Sequence, residues 1–576
     1  MPAPPPCLPA NDPNPAAREA ARKENESAYA FNRDTLGMAF ANRVPLREQF
    51  DARYLAAMAR NAADIVKNRA SQPTSTWPTE DHGLAALAAK APHEAVLEIA
   101  RHLVAATGHL PEDRPTDLEG YADLIATLPK PLSLTRGGYD DDLFFAWQQV
   151  AGATPINLRG VTALPENLAV DAATFARAIG DADSLGKALG EGRVFVSDYA
   201  MFDRMPTGKT GGKARYLWAP IALFVRGADR MLHPVAIQVG QRPGAESPVM
   251  TPKDGVAWRM AKTTVTTADM NLNGVVAHFG LCHAVTEAFI CVSHRRLAPS
   301  HPLLHLLVPH FEYTLAVNER ARTSVVNVGG VQDTLLSGTR EADFEVTNRA
   351  VAAEQWSRAG ARAELAARGV DDPARLPFYP FRDDGVPLAD ALHRWVEGYL
   401  RIYYASDDAV VNDAEVRAWA DELGRAGGFQ GMPQIDGVAA LARFTSDVLF
   451  RITGLHAVIN YAGWDFAAWA PSMPSMGFGP GPSGGEADEA AWRAMLPALS
   501  VANGLLEMLY FLGQTRLNRL GEYPPGHFGD PRVAPALKRL QGELAAIGRD
   551  QKARDAGRPW PFPYLSPDVL TASILV

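Results

Sequence analysis

A chain of 576 residues, 47% of them hydrophobic, is able to bury a large core, which excludes a disordered protein. Its net charge of −9, from 65 acidic against 56 basic side chains, comes without a clustered basic stretch and argues against a nucleic-acid partner. The three cysteines, Cys7, Cys282 and Cys291, have the spacing of neither a disulfide framework nor a zinc knuckle.

Residues 1–20, which open MPAPPPCLPANDPNP, are proline-rich and read as a flexible N-terminus. They lack the basic and then apolar pattern of a secretory signal, so a cytoplasmic location is expected. Residues 21–140 read as an N-terminal helical region and a candidate lid, with charged and apolar residues at helical spacing from Ala21 to Arg69. Between Arg193 and Gly240 the runs RVFVSDYAMF, RYLWAPIALFVRG and LHPVAIQVG are β-branched and aromatic, with glycine-bearing turns between them. They predict a small antiparallel sheet around 193–240. Helical patterning returns from Val256 to about Val326, and further helices are predicted at Leu388–Tyr404, Asp413–Leu423, Val438–Asn460, Trp492–Leu512 and Ala534–Arg554. The stretch from Ala470 to Ala490 is loop by composition. No run approaches the roughly 18 consecutive apolar residues of a membrane span. The organisation is therefore mainly α: one large helical domain over 141–576, with a small antiparallel sheet and a helical core over 256–576.

Within that core, AHFGLCHAVTEAFI sets His278 and His283 five residues apart. An ideal α-helix would hold them about 140° apart, whereas a π-bulge would narrow this to roughly 50°. Further on, LHAVIN places His456 and Asn460 about 40° apart on one helical wall. The chain ends SILV; if that apolar end is buried, so is the terminal carboxylate of Val576, at a cost of several kcal/mol that a metal would relieve. Three imidazoles, an amide oxygen and a carboxylate suit iron or manganese better than a closed zinc site. Taken singly, each histidine reads more readily as a satisfied core residue. His301, His305 and His310, in the proline-broken SHPLLHLLVPH, read as structural.

The run from Ala268 to Thr323 carries H-x4-H, then HP, a PH pair and a basic-Ala-Arg segment, and it resembles the core of the lipoxygenases. Upstream, GATPINLRGVTALPENLAV and VAIQVGQ followed by PVMTPKDGVAWRMAK continue the likeness; downstream, YPFRDDGVPL, YYASDDAVVNDAEVRAWADEL, HAVIN and APSMPSM follow in the family's order. It runs from about Phe144 to Val576. The resemblance implies a helical lipoxygenase catalytic domain without the N-terminal β-barrel of plant and animal members. It also implies one non-haem iron held by His278, His283, His456, Asn460 and the carboxylate of Val576, with the first two on a helix distorted towards π geometry. Manganese is the alternative, since several manganese enzymes of the family end in valine where most members end in isoleucine. Gly274 and Gly463 stand where plant members carry glutamines that link cavity and ligands.

The implied reaction is abstraction of a bis-allylic hydrogen from a polyunsaturated fatty acid, followed by addition of O2 to the pentadienyl radical, without a side-chain general base. Ala321 matches the family's stereochemical position and implies a mainly S hydroperoxide; Arg320 matches an arginine that holds the substrate carboxylate. Met270, Leu335 and Leu336 match positions that set pocket depth, and Val325, between Ala321 and Leu335 in the chain, is expected to bind substrate with them. The alternatives are a fatty-acid hydroperoxide isomerase on the same fold and a catalytically silent lipid-binding protein. A monomer is expected, and transient contact with a membrane surface is compatible with substrate pickup. No H-E-x-x-H motif supports a zinc hydrolase.

Overall fold

The computed structural model describes residues 6–72, 118–180, 183–483 and 487–576, so the part of the candidate lid at 73–117 lies outside the described residues. The N-terminal stretch expected to be flexible is docked from Cys7 onward. The Cys7 N–H donates to the Ser300 carbonyl (2.9 Å), and the buried Arg18 guanidinium reaches Asp12 (2.9 Å) and Glu415 (3.0 Å). Proline misleads here because it is tolerated in the first turn of a helix: α1 (Pro15–Ala28) starts on Pro15 behind the side-chain cap of Asn14.

The next helix, α2 (Ala52–Ser71), is capped by Asp51 and buries Tyr54, Met58, Ala62 and Ile65 at helical spacing. Between these helices Phe31–Asn32 pairs with Phe40–Ala41 in a short antiparallel hairpin.

The main sheet has five antiparallel strands in sequential order, β1 (Arg159–Val161), β2 (Val194–Asp198), β3 (Ile221–Arg226), β4 (Leu232–Gln238) and β5 (Val249–Met250). It extends beyond the predicted 193–240 because β1 and β5, with three and two residues, are too short to show alternation. The central strands are apolar on both faces. Val194, Val196, Leu223 and Val235 point to a small core around Phe175, while Phe195, Phe224 and Ile237 point to the helical body.

That body is built around one continuous helix. α3 (Val256–Asn271) passes through a π-helical segment, Leu272–Ala284, into α4 (Val285–Arg296). The 41-residue helix is long and apolar enough to cross a bilayer, yet 94% of its most apolar window is buried within the protein. It is the core. Around it lie α5 (Thr314–Arg320), α6 (Val331–Leu335), α7 (Pro380–Tyr403), α8 (Val438–Phe450), α9 (His456–Ala467), α10 (Leu499–Gly513) and α11 (Ala534–Asp555). Two predicted helices depart from a single regular run: a π turn at Arg451–Leu455 joins α8 to α9 without interrupting the helix, and the stretch 496–498 with its proline separates Glu489–Met495 from α10. α2 lies on α10 and is tied to it by a buried ion pair between Arg69 and Glu507 (Nη2 to Oε2, 2.6 Å).

Candidate metal centre and cavity

The π segment answers the five-residue spacing, because its wider turn brings His278 and His283 to one side. Side chains from neighbouring elements support its displaced carbonyls: Thr347 donates to Val275 (3.1 Å), Arg451 to Leu281 (3.3 Å) and Asn318 Nδ2 to His283 (3.0 Å). The Nε2 atoms of His278 and His283 lie 3.1 Å apart, and Nε2 of His456 lies 3.2 Å from that of His278. Burial holds the His278 and His456 imidazoles well below the usual histidine range, and the neighbouring imidazoles add to this. Burial likewise pushes His283 down to about 4, against the opposing effect of Asn318. All three are neutral at pH 7, the state a metal requires.

Asn318 also selects the tautomer of His283. Its Nδ2 donates to the His283 carbonyl and to Glu287 Oε2 (2.8 Å), so its Oδ1, 2.6 Å from His283 Nδ1, must accept the ring proton. The lone pair of His283 is thereby left on Nε2, facing the other imidazoles. Glu287 is itself fully buried and accepts from Arg322 (2.8 and 2.9 Å) and from the Ala41 N–H (2.9 Å).

Asn460, one turn after His456 on α9, donates Nδ2 to the Leu512 carbonyl (2.9 Å), which leaves its Oδ1 buried and without a hydrogen-bond partner among the described residues. Val576 is buried and lines the cavity together with His278 and His283, and its main chain opposes the pKa lowering at His283 and His456. Tyr54 donates to the Leu575 carbonyl (2.8 Å), Thr314 to Ile574 (3.2 Å) and His310 Nδ1 to Ala572 (2.8 Å), so the tail is held along its length. Three neutral imidazoles, an unpaired amide oxygen and a buried carboxylate fit a first-row transition ion of intermediate hardness. The residues present suit the metal.

His278, His283 and Val576 form one wall of a cavity of about 450 Å³, within the ~300–1,000 Å³ usual for small-molecule sites. Met270, Arg320, Ala321, Val325, Leu335 and Leu336 all line it. His456 and Asn460 lie behind that wall. Sequence reasoning missed Phe50, Tyr54 and Met58 at one end, Leu505 and Met508 of α10 along the side, and Gln332. Apolar residues at helical spacing do not reveal whether they face a cavity or a packed core. Gly274 and Gly463 are filled against: a Cβ on the first would meet Leu336 Cδ1 at 3.0 Å, and one on the second would meet Leu509 Cδ2 at 2.8 Å. His301, His305 and His310 are bonded away from the three imidazoles, His301 to Asp413 (3.1 Å), His305 to the His527 carbonyl (2.8 Å) and His310 to the Ala572 carbonyl (2.8 Å).

The lipoxygenase sequence profile matches residues 118–493. The chain belongs to the lipoxygenase family. It is 32% identical to the linoleate 9/13-lipoxygenase of Pseudomonas aeruginosa, over 99% of this chain and 92% of that protein. It is 31% identical to the human hydroperoxide isomerase ALOXE3 and to human polyunsaturated fatty acid lipoxygenase ALOX15B, in each case over 76% of this chain. The chain spans 62% and 66% of those two human relatives. The lipoxygenase fold also appears in a coral 8R-lipoxygenase (TM-score 0.86, 24% identical, 99% of this chain and 83% of that one). A lipoxygenase variant in complex with arachidonate gives a TM-score of 0.87 at 23% identity, over 100% of this chain and 84% of that one.

Proposed function

We propose that this lipoxygenase adds O2 to a polyunsaturated fatty acid of the linoleic or arachidonic type. The observation that carries the reading is the convergence of three neutral imidazoles, two of them on the wall of a mostly apolar cavity. His278, His283, His456, Asn460 and the carboxylate of Val576 would hold one non-haem metal, with iron preferred and manganese second. When bound, that metal supplies the one-electron step that removes a bis-allylic hydrogen.

The chain's own residues do the rest by placement. Met270, Leu335 and Leu336 bound the space for the hydrocarbon chain, and Val325 and Met508 line it and pack against the cluster that contains Leu335. Arg320 is exposed, lines the cavity and has no ion pair among the described residues, which suits it to hold the substrate carboxylate. Ala321 follows it and lines the cavity, in keeping with a mainly S hydroperoxide; mostly R product by chiral chromatography would remove that assignment.

The test is oxygen consumption with linoleic and arachidonic acids, followed together with conjugated-diene absorbance on protein of known iron and manganese content. Uptake matched one to one by diene is expected. Absence of uptake by metal-loaded protein that consumes added hydroperoxide would instead establish a hydroperoxide isomerase, the activity named for one human relative.

A further inference from the structure

Arg215 carries a buried charge that neither the metal centre nor the cavity wall uses. It follows the hairpin of Lys209–Thr210 and Lys213–Ala214 and is 6% exposed. The carboxylates that attract it, Asp333 and Asp343, form no ion pair with it among the described residues. A buried guanidinium is usually met by a carboxylate, because an unpaired charge is costly away from water. Arg215 is met by the oxygens of two segments instead. Its Nε donates to Thr210 Oγ1 (2.9 Å) and its Nη2 to the Lys209 carbonyl (2.9 Å), both on its own hairpin, while Nη1 donates to the Leu336 carbonyl (2.8 Å). Leu336 closes the C-terminal end of α6, where free carbonyls and the helix dipole both favour a cation.

That bond matters because α6 does not place itself. Five residues make little more than one turn, too short for a helix to persist on its own propensity, so its position is set by what it is tied to. Val331 and Leu335 pack on Val501 of α10 and hold its body. Its end is held by hydrogen bonds: Arg215 on the Leu336 carbonyl, the Ser337 N–H on Asn271 Oδ1 (3.0 Å) at the end of α3, and the Gly208 N–H on the Ser337 carbonyl (3.1 Å). Leu335 and Leu336 line the cavity, and Leu336 lies against Gly274 of the π segment. We infer that Arg215, which does not itself line the cavity, is a positioning residue for substrate length: by holding the Leu336 carbonyl it fixes the wall at which an entering hydrocarbon chain stops. Without the guanidinium, Leu336 is free to leave Gly274 and the cavity deepens. The inference rests on the fatty-acid reading of the cavity but not on turnover.

The experiment is isothermal titration of the metal-loaded protein with myristic, palmitic, stearic and arachidic acids, which have no bis-allylic hydrogen to lose. Each added CH2 that is buried should raise affinity about fourfold, and the gain should stop within the series where the chain meets Leu335 and Leu336. In Arg215→Met the gain should continue for one acid further, and in Leu336→Ala likewise. The double variant should reach no further than Leu336→Ala, because both changes act on the same wall. Arg215→Lys keeps the charge but has one nitrogen to share among three oxygens, so its limit should fall between those of wild type and Arg215→Met; it decides the matter where the methionine variant does not fold. A limit unmoved in the folded Arg215 variants, a gain that runs through the whole series in wild type, or a double variant that reaches beyond Leu336→Ala would each overturn the inference. Wild type that shows the length limit but takes up no oxygen with linoleic acid would refute the dioxygenase reading while the limit still decides the role of Arg215. Wild type that binds none of these acids would sink both.

Discussion

Asn318 decides which ring nitrogen of His283 keeps its proton, and the consequence is measurable. Replacing it as Asn318→Leu removes the acceptor and frees the ring to protonate on Nε2, the nitrogen turned towards the other imidazoles. Metal affinity should fall roughly 10–100-fold, as read by competition with a chelator; unchanged affinity would show that Asn318 only fills space. Glu287 behind it gives a second prediction. Its carboxylate is buried and faces Arg322, so Arg322→Ala should cost about 3 kcal/mol in denaturant unfolding by leaving that charge unpaired. Adding Glu287→Gln should recover most of the loss, since the amide needs no counter-ion. These two residues were not legible in the sequence. Asn318 lies 35 residues from His283 in an ordinary helical run, and nothing in its spacing marks it as a partner. The histidines were legible because the run around them resembles the lipoxygenase core; their five-residue spacing, which fits no plain helix face, only raised the question.

At the scale of elements, the cavity wall and the ligand-bearing helices touch through two glycines. Leu336, at the end of α6, seats on Gly274 of the π segment, and Leu509 of α10 seats on Gly463 of α9. Where the family resemblance points to glutamine, this chain packs leucine against bare backbone. Gly274→Gln should therefore overpack the site and destabilise it by roughly 1–3 kcal/mol, and Leu336→Ala on the same chain should relieve much of that cost, both measured by thermal unfolding. Full stability in the single variant would mean that Leu336 has room to turn away. The helices and the central strands were readable because each carries a period in its apolar residues. The π segments at Leu272–Ala284 and Arg451–Leu455 were harder, since they are buried on nearly every side and a change of hydrogen-bond register leaves no trace in such composition. The histidine spacing raised the first as a question, and the family resemblance implied it. Nothing exposed the second, or the stub strands β1 and β5.

At the scale of the whole molecule, the stretch 572–576 beside the imidazoles is held by groups from distant parts of the sequence. His310 is the titratable one among them. It is fully buried, with Nδ1 on the Ala572 carbonyl (2.8 Å) and Nε2 3.3 Å from the Tyr523 hydroxyl, and burial pushes it down to about 4. Because its pKa is lower in the folded protein than the usual value near 6.5, the unfolded chain takes up a proton first as the pH falls. The contribution of His310 to stability is thus complete above about pH 6.5 and is lost progressively down to about pH 4, on the order of 3 kcal/mol in all. Other buried histidines share that sign, so the test is a difference. The melting temperature of wild type should fall more steeply from pH 7 to pH 4 than that of His310→Gln, whose amide can still donate to Ala572 without titrating. Because His310 and Val576 lie on the same anchored tail, metal release on acidification should begin at higher pH in wild type than in the variant. Parallel melting curves for the two proteins would show that the tail is held without His310.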